Sequence, residues 1–246
     1  MLMHAALAGR SKMLLGWQRE RVDPLLYLVP LALVMIVLWL MVGSMWAGAY
    51  RDAGVATPTP QQVALQAMLV PLVPMLVGMF VLMRRSKRAV VGLELGQISG
   101  GVLWGLIGIT VALPIVWWSL RGTLWIWEYF GYQHAAKHNL LLELDRTPEW
   151  WIRGMIVVAA VVVAPVFEEL LFRGLLQTSL RKISTSPVVA IGLASLVFAV
   201  IHPHWQAPPI FVLSVFIGAL YEVSRNLWAA IVMHAAFNAF AILTSA

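Results

Sequence analysis

The stretch IRGMIVVAAVVVAPVFEELLFRGLL, residues 152–176, decides how this chain folds. It is apolar from Met155 to Phe167, with Pro165 as a kink candidate. At about 1.5 Å per residue it reaches about 37 Å as a helix, more than the roughly 30 Å of a bilayer's hydrocarbon core. A membrane span is therefore expected. Near its far end stand Glu168, Glu169 and Arg173. An ionisable side chain at membrane depth costs roughly 2.5–3.5 kcal/mol on insertion scales unless it is paired or faces water, so the cluster reads first as a functional site.

Working outward, 25–46, 63–83, 101–120, 188–201, 210–223 and 227–243 are also apolar enough to span or nearly span a bilayer. The expected fold is all-α, a polytopic transmembrane helical bundle of about seven spans, with an eighth possible inside 121–151. The stretches 188–201 and 210–223 are short, and either extend into flanking polar residues or fail to cross fully. The composition agrees: 61% hydrophobic and 11% charged residues leave too little polar surface to cover a water-soluble globule. With no cysteine, disulfides, thiolate metal sites and cysteine nucleophiles are excluded.

The net charge of +6 reads as membrane topology rather than as nucleic-acid binding. Arg10, Lys12, Arg19 and Arg21 precede the first span, Arg84, Arg85, Lys87 and Arg88 follow the second, Arg181 and Lys182 the fourth, and Arg225 the sixth. All fall on one side, which the positive-inside rule makes cytoplasmic. The expectation is an integral protein of the bacterial inner or cell membrane, amino terminus cytoplasmic and carboxyl terminus outside, whose first span is retained rather than cleaved. The organisation expected is a cytoplasmic segment 1–23, three transmembrane helices in 24–120, an interfacial loop or helix in 121–151, and a catalytic transmembrane core in 152–246. Segment 121–151 suits the headgroup level because it mixes Trp125, Trp127, Tyr129, Tyr132, Trp150 and Trp151 with charges.

Helix geometry separates the two glutamates. Glu169 and Arg173 are four apart with the acid on the amino-terminal side, the favoured ion-pair order, while Glu168 points about 100° away. Glu168 is then a desolvated carboxylate without a local counter-charge, suited to general base and then general acid work. Phe198 and His202 share one face of the fifth span, which Pro203 ends, and His234 and Asn238 share one face of the seventh. A carboxylate base, an imidazole and amide or imidazole donors for an oxyanion make up a hydrolysis set. No Gly-x-Ser-x-Gly elbow supplies a serine, so water is the expected nucleophile. Zinc is possible through Glu168, His202 and His234, but no cofactor is favoured, because the His-Glu-x-x-His signature is absent. His134 and His138 read as an interfacial pair rather than a metal site, and His204 as an outer-surface residue.

Glu168-Glu169-Leu-Leu-Phe-Arg173, Phe198-Ala-Val-Ile-His202 and His234-Ala-Ala-Phe-Asn238 resemble, in order and on separate helices, the three motifs of the CPBP intramembrane protease family. That family comprises the type II CAAX prenyl endopeptidases and the bacterial Abi or bacteriocin-processing proteins. The resemblance covers residue 152 to the carboxyl terminus. It implies an intramembrane endopeptidase in which Glu168 and His202 activate water, His234 and Asn238 stabilise the oxyanion, and Glu169 and Arg173, with Phe198, support them. The implied substrate is a membrane protein or a lipidated peptide within the bilayer. The family is described both as metal-dependent and as glutamate-dependent without metal. The other readings of the cluster are a proton-coupled membrane transporter, since Glu and His also relay protons, and an inactive membrane scaffold. One geometric demand follows: His202 falls near the outer end of its span and Glu168 deeper, so the site closes only if Val188 starts deep or the fifth helix does not span fully.

Overall fold

The computed structural model describes residues 25–52, 58–82, 89–133 and 139–245, all helix and connection with no strand among them. Arg84, Arg85, Lys87, Arg88, His134, His138 and the basic residues of segment 1–23 lie outside the described residues. The helices are α1 (Leu25–Asp52), α2 (Pro60–Leu82), α3 (Ile98–Tyr129), α4 (Asn139–Arg146), α5 (Trp150–Ser184), α6 (Pro187–Val200), α7 (Ala207–Ser224) and α8 (Leu227–Ser245). Six of them are long and apolar enough to cross a membrane, and α6 is a shorter apolar helix. The chain is a polytopic helical membrane protein of about seven spans.

Helix α3 is longer than the 101–120 expected. Nothing between Leu120 and Tyr129 breaks it except a tolerated Gly122, so Trp125, Trp127 and Tyr129 continue the helix. It stops where Gly131 takes a left-handed φ of 67°, and the Tyr132 amide donates back to the Trp127 carbonyl at 2.8 Å. After it, α4 has only 8 residues, about 12 Å, which is too short for an eighth span.

Local chemistry explains how α6 begins and ends. Ser186 caps it by accepting the Val189 amide at 3.4 Å, and Pro187 occupies a first-turn position where its missing N–H costs nothing. It ends at His202-Pro203, because the residue before a proline is driven out of the helical region. Its 14 residues reach only about 21 Å.

Lipid offers helices no hydrophobic drive to associate, so close packing and polar contacts must do it. Between α3 and α8 small residues form the seam: a Cβ on Gly101 would lie 2.5 Å from the Trp228 Cβ, and one on Gly105 2.7 Å from the Val232 Cβ. Asn226 fastens the start of α8, accepting the Trp228 amide at 3.0 Å and donating to the Gln97 carbonyl at 2.8 Å. Helix α5 is the central element. Its Phe167, Leu170, Leu171, Phe172 and Leu175 join the main buried cluster with residues of α1, α2, α3, α6, α7 and α8.

Candidate active site

The middle of α5 is not plain α-helix. Two π-helical stretches, Ala159–Val163 and Leu170–Gln177, flank the α-helical Ala164–Glu169. Such bulges are rare and concentrate at functional sites. The first has a traceable cause and a traceable repair. Its register sends the Ala164 amide to the Ala159 carbonyl, so the Ala160 carbonyl would next take the amide of residue 165. Residue 165 is proline and has no N–H. The Asn238 side chain fills the place, its Nδ2 donating to the Ala160 carbonyl at 2.8 Å.

Glu169 and Arg173 pair as their spacing predicts, Nη1 to Oε1 at 2.9 Å, with side chains 0% and 1% exposed. Arg173 Nη2 continues across to α7, donating to the Ser214 hydroxyl at 2.7 Å and its carbonyl at 3.1 Å. The guanidinium also lies 4.9 Å from the ring centroid of Phe198, a cation–π contact that is worth more when desolvated. From α8, His234 donates its Nδ1 proton to Glu169 Oε1 at 2.7 Å. The same ring holds its Nε2 3.7 Å from Glu168 Oε2. The neighbour that Glu168 lacks on its own helix therefore comes from α8, as the His234 ring.

Phe198 ties the two histidines together, its ring centroid 4.6 Å from that of His202 and 5.9 Å from that of His234. The short α6 ends just before His202, which reaches the same cavity as Glu168. His202 Nδ1 lies 2.7 Å from the Phe198 carbonyl. A carbonyl only accepts, so Nδ1 carries a proton, and whenever the ring is neutral its lone pair lies on Nε2.

Glu168 and His202 line one cavity of about 600 Å³. Its walls are mostly apolar, Trp39 and Gly43 of α1, Val70 and Pro71 of α2, and Phe167 and Phe172 among them, with Gln66 and Ser44 as polar additions. His234 and Asn238 are not among the lining residues; they stand behind Glu168 and behind the π-helical turn. His204 is exposed and engages Tyr132, while Trp127 Nε1 donates to the Trp205 carbonyl at 3.2 Å, so the far end of α3 braces the loop that follows His202.

Among the described residues no three His, Cys, Asp or Glu side chains form a group that could hold a metal ion. The Glu169 oxygen nearest the histidine already serves both His234 and Arg173.

Sequence reasoning missed Ser214, Ala160 and the walls contributed by α1 and α2. A lone serine in an apolar span and a backbone carbonyl carry no sequence signal, and the walls are set by long-range packing. Residues 149–240 match the family described as Type II CAAX prenyl endopeptidase Rce1-like, and all seven candidate side chains lie in that segment. No curated protein and no solved structure matches the chain.

Proposed function

We propose that this protein is an intramembrane endopeptidase that hydrolyses a peptide bond of a membrane-associated or lipidated protein or peptide. The observation that carries the reading is the convergence of Glu168 and His202, from different helices, on one largely apolar cavity, with the neighbouring Glu169 held out of the way by Arg173 and His234. The family match over the same segment supports it.

Water held between Glu168 and His202 gives one proton to the Glu168 carboxylate while its other O–H stays intact and donates a hydrogen bond to His202 Nε2, and the resulting hydroxide attacks the scissile carbonyl. His234 stands behind Glu168 with Nε2 3.7 Å from its Oε2 and acts as a positioning residue for both glutamates. The C–N bond breaks as Glu168 returns its proton to the leaving amine, giving a carboxylic acid and an amine. Asn238 acts as a positioning residue that holds the turn carrying Glu168. No step passes through a metal.

The test compares membrane peptides from cells carrying the intact protein, Glu168→Gln or His202→Ala, each checked for membrane insertion and monodispersity. Loss of cleavage products in both variants by at least about a hundredfold is expected, the scale of general acid–base catalysis. Full cleavage by both would overturn the reading.

A further inference from the structure

The bundle has two chemically different ends, and the cavity belongs to one of them. At one end Arg181, Glu222 and Arg225 meet, with Arg181 Nε 3.1 Å and Arg225 Nη2 2.6 Å from the same Glu222 oxygen. Ala89 lies beside them, and in the sequence Arg84, Arg85, Lys87 and Arg88 immediately precede it, while Arg10, Lys12, Arg19 and Arg21 precede α1. At the opposite end the connections 53–59 and 201–206 contain no Lys or Arg, and the bases of 121–153 stand among as many acids in 121–153 and Asp52 beside Arg51. Lysine and arginine in short connections fix orientation, whereas acids contribute little. The internal connections alone make the basic end cytoplasmic, wherever the chain begins.

The cavity takes Gly43 and Ser44 from the last turns of α1, Val63 and Gln66 from the first turns of α2, Leu140 from α4, and His202 from the connection after α6. Every one of these belongs to the end remote from Arg181 and Arg225. We infer that the cavity holding Glu168 and His202 opens on the extracytoplasmic side, and that its substrate is an apolar, membrane-associated peptide segment reaching it from the outer leaflet. The substrate half of this inference rests on the proteolytic reading; the orientation half does not. Lipid-modified protein tails confined to the cytoplasm are thereby excluded. The apolar walls select a segment whose side chains resemble lipid, while Ser44 and Gln66 offer its backbone hydrogen-bonding partners among them.

The absence of native cysteine makes the test clean. Gln61→Cys, exposed at the start of α2, and Thr185→Cys, exposed beyond α5, are treated with a membrane-impermeant maleimide in intact cells and in inside-out vesicles. Gln61→Cys is expected to label in intact cells and Thr185→Cys only in inside-out vesicles. The reverse pattern, or both sites labelling in intact cells, overturns the orientation. In parallel, a palmitoylated, fluorescence-quenched apolar peptide library is added to right-side-out and to inside-out vesicles. Cleavage confined to right-side-out vesicles, at least about tenfold over inside-out, is expected. Cleavage confined to inside-out vesicles overturns the inference, whereas no Glu168-dependent cleavage in either overturns the proteolytic reading and leaves the labelling result to stand.

Discussion

At Glu169 one fully buried carboxylate oxygen serves both Arg173 and His234. Removing the guanidinium strands a charge in an apolar interior, so Arg173→Met is expected to cost about 3–5 kcal/mol, read as a lower unfolding midpoint in detergent. The double variant Arg173→Met with Glu169→Gln recovers part of that loss. Arg173→Lys does not substitute, because a single ammonium cannot reach Glu169 and both Ser214 acceptors as the planar fork does. At Asn238 the prediction is a coupling. Asn238→Ala leaves the Ala160 carbonyl without the donor that Pro165 cannot be, at about 1–3 kcal/mol, and lowers kcat by about tenfold or more. In a Pro165→Ala background, where a backbone N–H returns, the further effect of Asn238→Ala shrinks. Equal effects in the two backgrounds, in both stability and kcat, would show that Asn238 works independently of that carbonyl. The Glu169–Arg173 pair was legible in the sequence because it is local and set by helical spacing, and so was the shared face of Phe198 and His202. The Asn238 contact was not, since a π-helical register leaves no periodic trace and its partner is a backbone atom 78 residues away.

Among the elements, the α3–α8 seam fixes where His234 stands. Gly105→Leu drives a side chain into Val232 and the Ala229 carbonyl, which its Cβ alone would approach to 2.7 and 2.9 Å. The expected cost is about 1–3 kcal/mol of overpacking, together with a fall in kcat as α8 moves. Gly100→Leu, whose Cβ meets nothing within 4 Å, is the neutral control; thermal unfolding and turnover of the pair check both. Element positions were readable from hydropathy because lipid demands unbroken apolar helices. The true end of α3 was not, because Trp and Tyr are equally at home in a helix and at a headgroup. The stop came from Gly131, whose left-handed conformation sequence spacing does not announce.

For the molecule as a whole, the cavity lies between the amino-terminal helices, which supply no candidate catalytic side chain, and the segment that supplies them all. Gly43, on the cavity wall with only Val70 near its Cβ position at 3.7 Å, is the place to narrow it. Gly43→Leu is expected to raise KM several-fold for long apolar peptides with little change in unfolding temperature; an unchanged KM would place the substrate elsewhere. The short α6 has a consequence of its own. It presents Val188, Leu193, Val197 and Val200 outward along only about 21 Å, so the surrounding lipid must compress there by several ångströms or leave apolar surface unmatched, each at fractions of a kcal/mol per ångström. Compression of the lipid there would form a local dimple beside His202 and bring headgroups and water toward the site. Turnover should then depend on acyl-chain length, faster in short-chain than in long-chain phosphatidylcholine vesicles, making membrane thickness itself a regulator of the reaction.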